Sequence, residues 1–375
     1  MPQSPLRNTH CHPADAPSAA AAAIDTAAGA LAETRAMPDL NDKSVLVTGG
    51  TGSFGKRFVR TILQRYRPRR LIIFSRDELK QYEMQQALGN DAHPSLRFFI
   101  GDVRDRQRLE MAMRDVDSVV HAAALKHVPV AEYNPSECIH TNVLGAENVV
   151  HAALRCGVRR VIALSTDKAA SPVNLYGASK LAADKIFVAA NNLVGSRDTR
   201  FSVVRYGNVV GSRGSVIPFF QKLNREKAAS LPLTDPRMTR FWITLQQGVD
   251  FVLSCLQTAR GGEIFVPKIP SMRMTDLAAC LAPDVPVRVV GIRPGEKLHE
   301  VLITAEEART AVELPDRYVI RPAFKFWGRE REGDEDEAPE GPSVPEDFVY
   351  SSDRNDDWLD GRRLHAMLEE FEAAS

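Results

Sequence analysis

Gly49, Gly52 and Gly55 stand at GxxGxxG spacing, directly behind the apolar run 45–48 and at the head of the amphipathic stretch 56–66. That frame restricts the fold severely. A strand turning tightly into a helix needs one glycine for the turn, one so that backbone can approach a pyrophosphate, and one so that helix packs on strand. Backbone N–H groups and the positive dipole end at the helix start then face an anion. The triplet alone is common; its strand–turn–helix setting is what points to a dinucleotide. Thr51, Ser53 and Phe54 complete the loop and join Gly49, Gly52 and Gly55 as candidate cofactor contacts.

From residue 44 the pattern is regular. Apolar runs at 45–48, 71–75, 97–100, 118–121, 161–165 and 202–205 read as strands, and 56–66, 106–113 and 138–156 read as helices. Alternating β and α elements with strands buried on both faces predict an α/β fold, a Rossmann-like doubly wound parallel sheet. The alternation fails beyond about residue 211, where prolines and polar segments increase. The predicted organisation is a disordered N-terminal extension (1–40, rich in Ala, Pro and Ser), a dinucleotide-binding domain carrying the catalytic residues (41–210), a smaller mixed α/β substrate-binding lobe (211–325), an acidic linker (326–345, containing EREGDEDEAPEGP) and a C-terminal segment with a helix (346–375). Met37, just ahead of the first strand, is an alternative start. Phe348, Tyr350 and Trp358 offer the last segment an aromatic surface for docking on the body.

The second strand ends in Ser75 and Arg76, with Lys80 a turn later. An acid at this tip would hold a ribose 2′-hydroxyl; cations suit a 2′-phosphate, so the cofactor is predicted to be NADP. Asp77 and Glu78 read as acids in the first turn of the next helix. The third strand runs into Asp102 and Val103, where Asp102 is a candidate partner for the adenine amino group. The fourth runs into Ala122 and its small neighbours up to Lys126, which let the backbone pass close beneath the cofactor.

Tyr176 and Lys180 lie four residues apart and share one helix face. A lysine ammonium beside a phenol favours the phenolate, so Tyr176 is a candidate base for a substrate hydroxyl. Upstream, the strand 161–165 delivers Thr166, Asp167 and Lys168. A helix N-cap is the plain role for Asp167, and a solvated charge for Lys168.

The glycine loop followed by YxxxK resembles the extended short-chain dehydrogenase/reductase family. Thr166, Asp167 and Lys168 narrow the resemblance to nucleotide-sugar 4,6-dehydratases. The stretches AALKHVPVAEYNP (123–135), STDKA (165–169), VVRYGNVVGSRGSVIPFF (203–220), TDPRMTRFWIT (234–244), GGEIFVPKIPSM (261–272) and GIRPGEKLHE (291–300) are similar to the inverting UDP-N-acetylglucosamine 4,6-dehydratases that begin pseudaminic acid synthesis. The resemblance covers about residue 37 to the C-terminus. It implies a hydro-lyase acting on UDP-N-acetylglucosamine: oxidation at C4, loss of water across C5 and C6, and return of hydride to C6 with inversion at C5. In that chemistry Asp167 is the acid at the C6 oxygen, its pKa raised by partial burial. Lys168 is the base at C5, its pKa lowered by Lys126 or by desolvation. Inversion follows from the resemblance, chiefly the lysine where retaining relatives carry glutamate. Lys126, Asn208, Arg240, Arg293 and Glu296 are the implied substrate contacts, with Arg213 in a Gly/Ser turn placed to close over the diphosphate. A cytoplasmic homo-oligomer is also implied.

Two other readings remain open. A UDP-hexose 4-epimerase would share Tyr176 and Lys180 without needing Asp167 or Lys168; an NADP-sensing binding module would need neither pair. Composition limits the rest. Equal numbers of basic and acidic residues (48 each) argue against a nucleic-acid partner. The five cysteines include no CxxC pair and the nine histidines no ligand spacing, so neither a disulfide framework nor a bound metal is predicted. No apolar run approaches the ~20 residues that span a bilayer.

Overall fold

The computed structural model describes residues 37–89, 92–212, 214–324 and 341–373. The predicted N-terminal extension, apart from 37–40, and most of the acidic linker lie outside these residues.

Six parallel strands, β1 (Ser44–Thr48), β2 (Arg70–Ser75), β3 (Leu96–Ile100), β4 (Ser118–His121), β5 (Arg160–Thr166) and β6 (Arg200–Tyr206), form the body of the sheet. Three more extend it: β7 (Ile264–Pro267), parallel to β6, then β8 (Ala311–Glu313) and β9 (Arg317–Ile320), which are antiparallel. The order β8-β9-β7-β6-β5-β4-β1-β2-β3 reverses direction between β1 and β4. Such a switch point opens a crevice beyond the carboxyl ends of the strands. Val, Ile and Leu fill β1, β4 and β5 because these strands are covered on both faces. The helices α1 (Ser53–Arg65), α2 (Glu78–Leu88), α3 (Arg106–Ala112), α4 (Gly145–Cys156), α5 (Leu175–Ala189) and α6 (Leu245–Thr258) connect and cover them. The stretch 138–156, expected as one helix, is broken by a π turn at His140–Leu144 ahead of α4. Asn142 in that turn donates to the Leu125 carbonyl (2.9 Å) and to Ser179 Oγ (2.9 Å), tying the segment after β4 to α5.

The expected boundary at residue 210 is crossed by the main sheet. Residues 211–325 do build a second core, in which Val210, Phe220, Trp242 and Leu277 pack with Leu364 and Leu368 of the last helix, α7 (Gly361–Ala373). The same stretch also returns β7, β8 and β9 to the main sheet and lays α6 against α1. Sheet extension is a non-local event, so the loss of local alternation gave no sign of it. From the C-terminal segment, the Tyr350 ring packs in tilted contact with Phe241 (centroids 4.8 Å apart) and Tyr318 (5.1 Å). Its hydroxyl donates to the Ile269 carbonyl (3.0 Å) and accepts from the Ile269 N–H (2.9 Å).

Beneath α5, fully buried Arg205 of β6 meets Asp184 of α5 (3.3 Å) and Glu307 (2.9 Å), while Ser165 Oγ of β5 donates to Asp184 (2.8 Å). Removing one member of a buried pair like this costs about 3–5 kcal/mol, so the network holds α5 firmly on β5. Among the described residues, no helix is long and apolar enough to cross a membrane, and no His/Cys/Asp/Glu cluster could hold a metal ion.

Candidate active site

A cavity of about 700 Å³ occupies the crevice at the switch point. Its wall at one end is the loop between β1 and α1. Gly49 has φ +65°, and a Cβ there would lie 2.9 Å from Ala123 N, so only glycine allows β1 and the segment after β4 to approach so closely. Gly52 caps α1 without a side-chain hydrogen bond, and the first turn holds no acid. The leading N–H groups and the dipole are therefore available to an anion at a wall formed by Thr51, Gly52, Ser53, Phe54 and Gly55. This donor set fits a dinucleotide pyrophosphate.

Farther along, Ser75, Arg76, Lys80, Asp102 and Val103 line the cavity, then Ala122 and Lys126. Asp77 caps α2, accepting from Lys80 N at 3.0 Å, and the Lys80 ammonium also bonds to the Asp77 carboxylate. Asp102 is engaged by Arg104 (2.7 Å) and by Arg76 (3.6 Å); burial works to raise its pKa, but Arg104 outweighs it and holds the carboxyl below its ordinary value. Of the two cations read as 2′-phosphate partners, Lys80 is thus committed to a helix cap, and Arg76 sits at the strand tip with half its side chain exposed.

The candidate proton-handling residues gather at the end of β5, where a 3-10 turn, Asp167–Ala169, follows Thr166. Asn174 caps α5 through the Gly177 N–H (2.8 Å). A Cβ at Gly177 would lie 2.2 Å from the Lys168 carbonyl oxygen, so the first turn of α5 is seated directly on the turn that carries Lys168. Tyr176 and Lys168 consequently face the same cavity. Burial pushes the Tyr176 phenol up to about 12; Lys168 and a hydrogen bond with Thr166 pull the other way. Lys180 is buried and its Nζ donates to the Leu164 carbonyl (2.7 Å). Burial holds its ammonium below the ordinary value, against the pull of Asp184. Lys168 is the cation that opposes the rise of the phenol, while Lys180, also on the cavity wall, is held by the β5 backbone.

Asp167 is fully buried and has no face on the cavity. Its Oδ1 accepts from Thr166 Oγ1 (2.9 Å) and Lys168 Nζ (3.0 Å), and Oδ2 has no hydrogen-bond partner among the described residues. Burial, and then the nearby Glu300, raise its pKa. The expectation for Lys168 is reversed. Burial does disfavour its charge, but Asp167 and Glu300, the latter 3.2 Å from Nζ, outweigh burial and hold the ammonium above its ordinary value. Arg240, rather than Lys126, is the cation opposing them.

Of the implied substrate contacts, Asn208 and Lys126 line the cavity. Arg240 does not: it is buried, donating to the carbonyls of Thr239 (2.7 Å), Lys297 (3.0 Å) and Leu298 (3.1 Å), with Glu300 3.6 Å away. It braces the 297–300 segment and is not presented to a ligand. Arg293 and Glu296 pair with each other at 3.8 Å, also away from the cavity lining. Arg213 lies outside the described residues. Sequence reasoning missed Glu300 and Lys297. Lys297 Nζ donates to the Ala170 carbonyl (2.5 Å), holding the 291–300 loop against the turn that carries Lys168. The available signal for Glu300 was an acid leading straight into the apolar run 301–303, since acids are seldom buried unless paired.

The family model for polysaccharide biosynthesis proteins matches residues 45–322. Over 333 residues the chain is 55% identical to a Campylobacter jejuni protein named UDP-N-acetylglucosamine 4,6-dehydratase (inverting), covering 88% of this chain and 99% of that one. It is 45% identical over 292 residues to a Rickettsia canadensis protein named UDP-glucose 4-epimerase, covering 74% and 83%. The solved dTDP-glucose 4,6-dehydratase DesIV of Streptomyces venezuelae, with NAD and TYD bound, superposes with a TM-score of 0.62 at 28% identity, over 76% of this chain and 93% of that one.

Proposed function

Because the chain belongs to the polysaccharide biosynthesis family of extended short-chain dehydrogenases/reductases, alongside inverting UDP-N-acetylglucosamine 4,6-dehydratases, we propose that it performs that dehydration on UDP-N-acetylglucosamine with inversion at C5. The observation that carries the reading is Lys168, paired with buried Asp167 (3.0 Å) and standing beside Tyr176 on the cavity headed by the glycine loop.

A nicotinamide cofactor fits that loop, and we assign it as NADP on Arg76 at the tip of β2. When bound, it supplies the acceptor for hydride from C4 and the donor of hydride to C6. Gly49, Gly52, Ser53 and Phe54 would hold its phosphates, and Val103 and Ala122 would line the rest of its site.

The chain's own residues handle the protons. Tyr176 takes the proton of the C4 hydroxyl, its phenolate supported by Lys168 and Thr166. Lys168 and Asp167 then act as one unit carrying a single shared proton. At rest they form an ion pair. Transfer of one proton from Lys168 Nζ to Asp167 Oδ1 breaks an N–H bond and forms an O–H bond, leaving a free amine and a carboxylic acid. The amine, on the cavity wall, is the base that C5 requires; the carboxylic acid behind it is the proton store, and the departing C6 hydroxyl takes its proton through Lys168, which Asp167 then reprotonates to restore the ion pair. Burial of Asp167 favours this exchange by penalising its carboxylate.

The Rickettsia relative favours a second reading, a UDP-hexose 4-epimerase. Mass spectrometry of the nucleotide sugar after incubation without added reductant separates the two. Loss of one water supports the dehydratase; a product of unchanged mass supports the epimerase.

A further inference from the structure

Glu300 has no part in the steps above, yet its surroundings are built around its carboxylate. The residue is 2% exposed. Oε1 lies 3.2 Å from Lys168 Nζ and 3.6 Å from Arg240 Nε, and Oε2 lies 3.9 Å from Lys297 Nζ. Its backbone is clamped from the far end of the chain. The Glu300 N–H donates to Ser352 Oγ (2.9 Å), and the Ser352 N–H donates to the Glu300 carbonyl (2.8 Å). Ser352 Oγ also meets Thr239 Oγ1 (2.7 Å), which bonds His299 Nδ1 (2.8 Å).

We propose that Glu300 is a positioning residue of the reaction, the fixed anion that holds Lys168 beside Asp167, and that the C-terminal segment belongs to the active site because Ser352 sets Glu300 in place. The inference rests on the reading of Lys168 and Asp167 as the elimination pair. Three groups of charge face Glu300: Asp167 and Lys168 from the 3-10 turn, Arg240 from the strand Thr239–Ile243, and Lys297 from the loop before it. Tyr176 reaches it through Lys168, and His299 through Thr239 and Ser352. Two carboxylates flank one lysine, and they differ in environment. Three cations stabilise the charge of Glu300, whereas among the described residues the Asp167 carboxylate pairs with Lys168 alone. Glu300 therefore keeps its negative charge throughout, and the mobile proton is confined to Lys168 and Asp167.

The test uses the full chain with UDP-N-acetylglucosamine and NADP in D2O, following deuterium incorporation at C5 and the pH profile of kcat. Glu300→Gln retains the shape and removes the anion. We expect about ten- to a hundredfold slower incorporation, with KM within about threefold. The Lys168 ammonium loses a stabilising neighbour, so its pKa falls and the profile moves toward acid by about one unit. Glu300→Asp restores the charge and should restore the profile. Ser352→Ala, which leaves the carboxylate intact, should show a smaller loss with the same acid-ward displacement, and it serves as the test should Glu300→Gln fail to fold. An unmoved profile in either variant overturns the inference. Lys168→Ala, run in parallel, isolates the underlying reading. If it abolishes C5 incorporation while the Glu300 variants match the parent, only the Glu300 proposal falls. If it leaves incorporation intact, the assignment of Lys168 falls and takes the Glu300 proposal with it.

Discussion

Lys180 Nζ donates to the Leu164 carbonyl at 2.7 Å, from a side chain that is 4% exposed. The lysine of YxxxK is thus fastened to strand β5 just before Thr166–Lys168, and it sets where α5 lies on β5. Lys180→Met leaves that carbonyl without its donor. The expected outcome is a stability loss of about 1–3 kcal/mol by denaturant unfolding. Single-turnover reduction of the nicotinamide should slow by about a hundredfold or more.

Gly177 packs against the Lys168 carbonyl, where an added Cβ would lie 2.2 Å from the oxygen. Backbone cannot yield as a flexible side chain does, so Gly177→Ala must move either α5 or the turn carrying Lys168. A cost of about 1–3 kcal/mol is expected, with kcat falling more steeply than KM rises. Calorimetry and steady-state kinetics on the one variant check both.

His121 gives a pH prediction. The ring is buried, meets Thr48 Oγ1 at 2.8 Å, and is held down to about 3 by burial and then by the charge of Lys180. An unfolded histidine takes up its proton near pH 6.5. Between those values the unfolded chain binds one more proton than the folded chain, so stability declines as pH falls below about 6.5. At pH 5 this group should account for about 2 kcal/mol of the loss, from about 1.4 kcal/mol for each of the 1.5 intervening pH units. Unfolding His121→Gln and the parent at pH 5 and pH 7 measures it: the variant should lack that part of the slope.

Arg76 tests the cofactor assignment. Its guanidinium lies at the tip of β2, 3.6 Å from Asp102. Arg76→Ser should weaken NADP binding about tenfold, the worth of a charge-assisted hydrogen bond, and leave NAD binding within about twofold. Equal losses for both cofactors would assign Arg76 to bracing Asp102.

What the sequence disclosed was local. Gly49, Gly52 and Gly55 could be read because strand, turn and helix are contiguous; Tyr176 and Lys180 because they share one helix face; Thr166 to Lys168 because they end a strand. What it concealed depended on distant contact. Arg240 is a strand residue that could face either way, and only packing against the 297–298 carbonyls shows that it faces inward. The direction of the Lys168 shift follows from Asp167 together with Glu300, and Glu300 stands 132 positions along the chain, brought in by a fold that lays 301–303 against the 167–169 turn. The strands β7 to β9 joined the main sheet through the same kind of distant pairing.

The central claim is dehydration with inversion, and proton NMR of UDP-N-acetylglucosamine incubated with the enzyme in D2O, without added reductant, tests it most directly. The account predicts a 4-keto sugar with a 6-methyl group, deuterium at C5 and the couplings of the L-arabino configuration. A D-xylo product would contradict the inversion, and UDP-N-acetylgalactosamine that keeps its C6 hydroxyl would contradict the dehydratase itself.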